Sequence, residues 1–266
     1  MKIEQNKWNA DDYANNSSAQ LQWAKELIAK LSLKGDESLL DIGCGDGKIT
    51  AQLASILKTG KVVGIDSSRT MIDFAQKTFP KTENPNLSFQ EMDATAINLS
   101  DRFDVAFSNA VLHWIKDHVS VLKGVRDRLK SGGKILFQMG EKGNVSEIAI
   151  AINEVIKKPE WKDYFEGFVF PYSFYGTKEY ETWLPENGFQ PQRIELIEKD
   201  MQHQGKEGLK GWLRTTWFPY TQRVPLELRE NFLNEIVDRY ISIFPVDKNG
   251  FTHVKMVRLE VEAISI

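Results

Sequence analysis

Residues 39–47 read LLDIGCGDG. Leu39 and Leu40 belong to a short apolar run, Asp41 and Ile42 end it, and Gly43, Gly45 and Gly47 follow at alternate positions. An apolar strand that runs straight into a glycine loop marks the first turn of an open α/β sheet, where ligands sit outside the carboxyl ends of the strands. The loop is also acidic, with Asp41 at its entrance and Asp46 inside it. Negative charge is out of place in a phosphate cradle, so the loop asks for another guest.

Outward from the loop, strands and helices alternate. Upstream, residues 17–33 place Leu21, Ala24, Leu27, Ile28 and Leu31 at helical spacing. Downstream, residues 47–57 predict a helix and 61–65 (KVVGI) a second strand. Residues 67–79 predict a helix stopped by Pro80. LSFQE at 87–91 and FDVAFS at 103–108 read as the third and fourth strands, and 119–129 as a helix. SGG at 131–133 reads as a turn into a fifth strand, KILFQM at 134–139. Short apolar strands of this kind form a parallel sheet covered on both faces.

Beyond residue 139 the pattern changes. Helical stretches are expected at 145–158, 178–187 and across 206–244, with a strand at 191–199 and a final alternating strand, HVKMVRLEVEAISI. WKDYFEGFVFPYSFY at 161–175 is dense in aromatics, read chiefly as the insertion's own core. The expected fold class is α/β, a doubly wound, Rossmann-like, mostly parallel sheet with a helical lid insertion. The chain is read as one domain: an N-terminal arm and helix (1–34), a cofactor-binding core (35–140), a lid insertion with one sheet strand (141–245) and a last strand (246–266).

Bulk properties narrow the partners. The net charge of −3, without a long basic run, gives no nucleic-acid footprint. No apolar run approaches a membrane span, and the first residues, MKIEQNKWNADDY, lack a signal-peptide core, so a cytoplasmic location is expected. The lone Cys44 permits no internal disulfide, and the four histidines show no metal spacing.

Three readings of the loop compete. A P-loop needs GxxxxGK followed by Ser or Thr, but Ile49 follows Lys48 and Ile42 takes the first glycine's place. A dinucleotide fingerprint needs G-x-G-x-x-G, but Lys48 stands at the third glycine, and Asp41 and Asp46 would face a pyrophosphate. A cationic guest without phosphate fits both the glycines and the aspartates. S-adenosyl-L-methionine, with its sulfonium and ammonium, is such a guest, and Asp41 could meet the ammonium directly or through water. Asp66 ends the second strand, where a carboxylate can accept from ribose hydroxyls. Asp93 follows the third strand, within reach of an adenine amino group. Helix capping is the plainer alternative for each of these carboxylates.

LLDIGCGDG, VVGIDSS, EMDAT, FDVAFSNAVLHW and LKSGGKILF, in that order, resemble the successive motifs of the class I S-adenosylmethionine-dependent methyltransferases. SNAVLHWIKDH with LKSGGKILFQM, and WNADDY near the start, are similar to the trans-aconitate methyltransferase group. LHWIKD and SSAQLQWA also look like juvenile hormone acid methyltransferase. The resemblance implies a cofactor set of Tyr13, Asp41, Gly43, Cys44, Gly45, Asp66, Ser67, Met71, Asp93, Ala94 and Asn109, with Trp8 and Tyr13 in a segment folded over the cofactor. It implies a small-molecule acceptor, a carboxylic acid, held by the neutral donors of Gln22 and Trp114. A carboxylate is ionised at neutral pH and needs no base. Were the acceptor a hydroxyl or amine, His113 could act as general base. A non-catalytic cofactor-binding module is the reading from another class. Arg214 is one candidate to pair with a second carboxylate on a polyacid.

Overall fold

The computed structural model describes residues 18–266. In chain order its elements are α1 (Ser18–Lys30), β1 (Ser38–Ile42), α2 (Lys48–Ile56), β2 (Lys61–Asp66), α3 (Arg69–Thr78), β3 (Leu87–Glu91), β4 (Phe103–Asn109), α4 (His118–Arg128) and β5 (Leu129–Gly140). There follow α5 (Ser146–Val155), α6 (Thr177–Glu186), β6 (Phe189–Gln204), α7 (Gly205–Thr216), the single turn α8 (Phe218–Thr221), α9 (Arg229–Ile243) and β7 (Phe251–Ser265). The strands make one sheet in the order β3-β2-β1-β4-β5-β7-β6.

β1 pairs in parallel with β2 on one side and β4 on the other, so strand order reverses there. That reversal is the switch point where open α/β sheets bind ligands. β5 and β7 run antiparallel, from Lys134 opposite Ile264 to Gly140 opposite Arg258. Alternation along each strand feeds two apolar layers. Leu40, Ile42, Ile65, Ala106, Ile135 and Phe137 pack with Val121, Leu122 and Val125 of α4 and with Tyr180 and Leu184 of α6. Leu39, Val62, Val105, Phe107 and Leu136 pack on the other face with Leu27 and Leu31 near α1, Leu53 of α2 and Ile72 of α3. Each such side chain contributes about 1.5–3 kcal/mol by leaving water. The doubly wound sheet expected from the sequence is the observed fold.

Two boundaries differ from expectation. SGG does not precede β5 but lies inside it. Leu129 already pairs with Phe103, and the register then jumps to Val105 opposite Lys134. Gly132 takes φ +73°, which lets the surplus residues bulge out of the ladder. The second difference concerns the insertion. The chain divides into two compact units, and residues 172–197 belong with the sheet unit (20–142, 172–197, 258–266). Tyr180, Leu184 and Phe189 are buried in the sheet's own core, which holds that segment there.

Among the described residues, the second unit consists chiefly of 143–171 and 198–257. Its aromatics form its own core: Trp161 meets Phe232 edge-on with ring centroids 5.2 Å apart, and Phe165 stacks on Phe232 at 5.5 Å. Trp212 and Trp217 are buried in the same unit. No helix among the described residues is long and apolar enough to cross a membrane.

Candidate active site

The glycine loop is clamped to the end of β2. Ile65 accepts backbone hydrogen bonds from Gly43 at 2.7 Å and Cys44 at 3.0 Å. Gly43 takes φ +73°, and a Cβ there would lie 2.3 Å from a methyl of Val111, so only glycine fits. Cys44 is buried against Gly64, whose added Cβ would meet the Cys44 Cβ at 2.8 Å. Cys44 therefore packs the loop onto the sheet.

The carboxylates take distinct places. Asp41 is 2 % exposed and accepts from the Thr50 hydroxyl at 2.7 Å. Burial pushes its carboxyl up to about 7, opposed by the Thr50 hydrogen bond and helped by nearby Asp66. Asp66 is half-buried; it accepts from the Gly45 N–H at 3.0 Å and the Ser68 N–H at 2.8 Å. Burial raises its carboxyl too, and those two donors offset the rise. Asp46 is buried and accepts from the Lys48 N–H at 3.2 Å. Asp93 is exposed and caps the short turn at Ala94–Ala96, accepting from the Thr95 N–H at 2.8 Å. Capping and ligand binding are compatible there, because Thr95 engages Oδ1 alone.

Of the other expected cofactor residues, Met71 and Ala94 are buried and Ser67 is exposed. Met71 donates its N–H to the Ser68 hydroxyl at the start of α3. Asn109 ends β4 and is buried. Tyr13 and Trp8 lie outside the described residues.

The loop's electrostatics answer the question raised by its aspartates. The Cys44 thiol is pushed well above its usual value, first by burial and then by Asp66, Asp41 and Asp46. Asp41, Asp46 and Asp66 thus all bear on the buried Cys44, an acidic surrounding that favours a cation and opposes a pyrophosphate. A nucleoside with hydroxyls for Asp66 and a positively charged tail fits this set of acceptors; the pyrophosphate of a dinucleotide does not.

Beyond β4 lies a second cluster. Ala110 takes φ +59° and donates its N–H to Gln138 at 2.8 Å, turning the chain into a 3₁₀ turn at Leu112–Trp114. His113 is 9 % exposed. Its Nδ1 accepts from the Gly140 N–H at 3.3 Å. A backbone N–H can only donate, so the ring hydrogen of neutral His113 sits on Nε2. Burial drives the His113 imidazole well below its usual value, and the charge of Arg258 and then the neighbouring His118 act in the same direction. His113 lies 5.9–6.0 Å, centroid to centroid, from Trp114, Tyr172 and Phe174. Trp114 meets Tyr172 edge-on at 4.6 Å. His118 braces the turn: Nε2–H donates to the Leu112 carbonyl at 2.7 Å, and Nδ1 accepts from the Tyr180 hydroxyl at 2.8 Å.

The structure thus brings His113 and Trp114 together. Gln22 is exposed on α1, whereas its neighbour Trp23 is buried beneath the Arg258 guanidinium, 4.9 Å from ring centroid to Cζ. Sequence reasoning missed Trp23 and Arg258, and held Tyr172 and Phe174 only as members of the aromatic stretch 161–175, whose pocket-lining reading it ranked below packing in the insertion's own core. Among the described residues no group of three His, Cys, Asp or Glu is arranged to hold a metal ion.

Comparison with known proteins bears on the whole arrangement. Residues 33–188, more than half the chain, match the family model described as a methyltransferase domain. A trans-aconitate 2-methyltransferase of Agrobacterium fabrum is 27% identical over 266 residues, 97% of this chain and 98% of that protein. A juvenile hormone acid O-methyltransferase of Drosophila melanogaster is 26% identical over 240 residues, 88% of this chain and 76% of that protein. Among solved structures, a Haemonchus contortus phosphoethanolamine N-methyltransferase 2 in complex with phosphomonomethylethanolamine and S-adenosylhomocysteine superposes with a TM-score of 0.63 at 17% identity, covering 99% of this chain and 59% of that one. The glycine loop, its convergent carboxylates and these matches agree: the chain belongs to the methyltransferase domain family and is an S-adenosyl-L-methionine-dependent enzyme.

Proposed function

We propose that the enzyme methylates a carboxylate on a small molecule, giving a methyl ester. The observation that carries this reading is the Gly140 N–H to His113 Nδ1 hydrogen bond. It leaves His113 with a hydrogen on Nε2, which makes that atom a donor. A hydroxyl or amine acceptor calls for a base; an ionised carboxylate calls for donors that orient it without neutralising it. The relatives named for trans-aconitate and juvenile hormone acid support the same choice.

When bound, the cofactor supplies a methyl group on a sulfonium, and transfer to a carboxylate oxygen moves no proton. The chain's task is then to bind, align and exclude water. Asp41, Asp66 and Asp93 hold the nucleoside and its cationic tail. The Nε2–H of His113 and the indole N–H of Trp114 orient the acceptor oxygens, and Gln22 is the third donor in this proposal. The rings of Trp114, Tyr172 and Phe174 keep the space around His113 apolar. Alignment of this kind can supply roughly 7–11 kcal/mol of the barrier reduction.

A pH–rate profile at saturating cofactor tests the proposal. With an ionised acceptor and neutral donors, kcat should be flat from about pH 6.5 to 9, because carboxylates are already ionised there. A rate that climbs steadily with pH would mean that a proton must leave the acceptor, and would reject carboxyl transfer.

A further inference from the structure

The second unit holds a cavity of its own. Its volume is about 620 Å³, inside the range of roughly 300–1,000 Å³ typical of small-molecule sites. The walls come from α5, β6, β7 and the end of α9, and none of their residues belongs to the cofactor or acceptor sets above. Ile243, Phe244 and Pro245 make one part of the wall apolar. The rest carries charge, and most of that charge is matched. His253 stands between two carboxylates, with Nδ1 2.8 Å from Asp200 and Nε2 3.3 Å from Asp247. Lys255 pairs with Glu198 at 3.0 Å, and Lys199 is engaged as well. Arg214, the sequence's candidate to pair with a carboxylate, is exposed on α7 and does not line this cavity.

Glu147 is the exception. It is half-buried, and among the described residues its donors are two, both at Oε2: the Tyr240 hydroxyl at 3.2 Å and the Lys255 N–H at 3.4 Å. The Tyr240 hydroxyl has one hydrogen, and the His253 carbonyl stands closer to it, at 2.7 Å. Glu147 is therefore a carboxylate with weak donors and no cation of its own, a state that a charged partner relieves. The end of α9 acts in the same sense. That helix of 15 residues stops at Ile243 on the cavity wall, and a helix carries partial negative charge at its C-terminus. An anion would meet both negative groups, and a neutral ligand would leave Glu147 unmatched. A cation that donates N–H and carries a hydrocarbon body suits every wall. We propose that this cavity binds a small organic cation, a primary ammonium on an apolar chain, with its charge at Glu147 and its chain on Ile243, Phe244 and Pro245. The site is an addition to the methyl-transfer site, and it stands whatever the methyl acceptor is.

The test titrates the full chain, saturated with S-adenosylhomocysteine, at neutral pH with hexylammonium, hexanol and hexanoate in turn. The three probes share a chain length and differ in charge. Amide NMR shifts of Glu147, Phe244 and Lys255 report where each one binds. Hexylammonium should move those amides and bind about tenfold more tightly than either other probe, the scale of a hydrogen bond to a charged group. Glu147→Gln should weaken hexylammonium by about the same factor and leave hexanol within about twofold. Lys255→Gln should act the other way. It removes a like charge from the wall and should tighten hexylammonium about two- to fivefold, the scale of an exposed charge pair. A structural disturbance would not give opposite signs, and the thermal midpoint of each variant shows that it is folded. Absence of shifts at those amides overturns the proposal, as does equal binding of the three probes or an affinity that Glu147→Gln does not change. Tighter binding of hexanoate would mean that the lysines govern the cavity, and overturns it too. A last arm adds methyl-labelled S-adenosyl-L-methionine in place of S-adenosylhomocysteine: hexylammonium should stay unlabelled, and label on it would make this the acceptor's pocket and overturn the proposal of an additional site.

Discussion

The backbone N–H of Gly140 donates to Nδ1 of His113 across 3.3 Å, and this one bond decides what the imidazole can do. A base needs a free ring nitrogen; a donor needs a hydrogen. Here the first nitrogen is occupied by Gly140, which leaves the hydrogen on the second.

His113→Gln keeps a neutral N–H donor and should retain kcat within about tenfold, whereas His113→Phe should lose on the order of 100-fold, the scale for one oriented donor. Neither change should tilt the pH–rate profile. Steady-state kinetics of both variants check this; a general base would instead lose activity equally in both, by about 10²–10⁴. Trp114→Phe, which keeps a ring and removes the indole N–H, should lower kcat in the same direction as His113→Phe.

Gly43 is the tightest point of the loop. Gly43→Ala places a methyl 2.3 Å from Val111 at a backbone φ of +73°. The left-handed conformation costs about 1–2 kcal/mol, and the overlap adds about 1–3 kcal/mol. Adding Val111→Ala to Gly43→Ala should recover only the share of the overlap due to the two Val111 methyls, because the residue 111 Cβ itself would still lie 2.7 Å away, and should leave the backbone part. Chemical denaturation of both single variants and the double variant measures that coupling.

On the proposed assignment of Asp41 to the cofactor, its titration should couple stability to cofactor binding. Burial holds its folded carboxyl at about 7, above the ordinary value of 3.8. The folded state therefore holds a proton that the unfolded state has released, and the resulting stability is present below about 4 and lost as pH rises through about 7. Asp41→Asn should raise the thermal midpoint of the cofactor-free protein at pH 8, and the gap should close toward pH 4. The same substitution should weaken cofactor binding about 10- to 100-fold, as for a lost charged hydrogen-bond partner. Thermal scans and cofactor titrations at several pH values check both halves.

The buried histidines act with the opposite sign. His118 and His203 are held neutral at about 4 by burial, and His113 is lowered as well. Each contributes stability that is present above its unfolded value of about 6.5 and lost as pH falls toward its folded value. The midpoint of unfolding should fall between about pH 6.5 and 4. Asp41→Asn should steepen that fall, because it removes a group that gains stability over the same window. Replacing His118 with Gln should flatten it.

Much of this was legible in the sequence. β1 and β3 stand where the apolar runs SLLDI and LSFQE ended, because aspartate, glycine and proline punctuate them. The proposed cofactor carboxylates were equally visible as candidates, since Asp41 and Asp66 stand near the ends of β1 and β2 and Asp93 just after β3. SGG misled because its glycines signal a turn, and only the partner strand shows that they form a bulge in β5. Arg258 was hidden for a different reason. HVKMVRLEVEAISI reads as an alternating strand, yet both faces of β7 are buried from Arg258 to Val261. Local alternation cannot say that a helix, α1, lays Trp23 over that face.

The central claim is that the acceptor is a carboxylate, and the bond formed tests it most directly. Purified enzyme would be incubated with methyl-labelled S-adenosyl-L-methionine and a panel of small acids, phenols and amines, and the products treated with mild alkali. Carboxyl transfer predicts label released as volatile methanol from an acid in the panel. Label that stays on a product through alkali would contradict it, and would place an ether, amine or carbon methylation at this site instead.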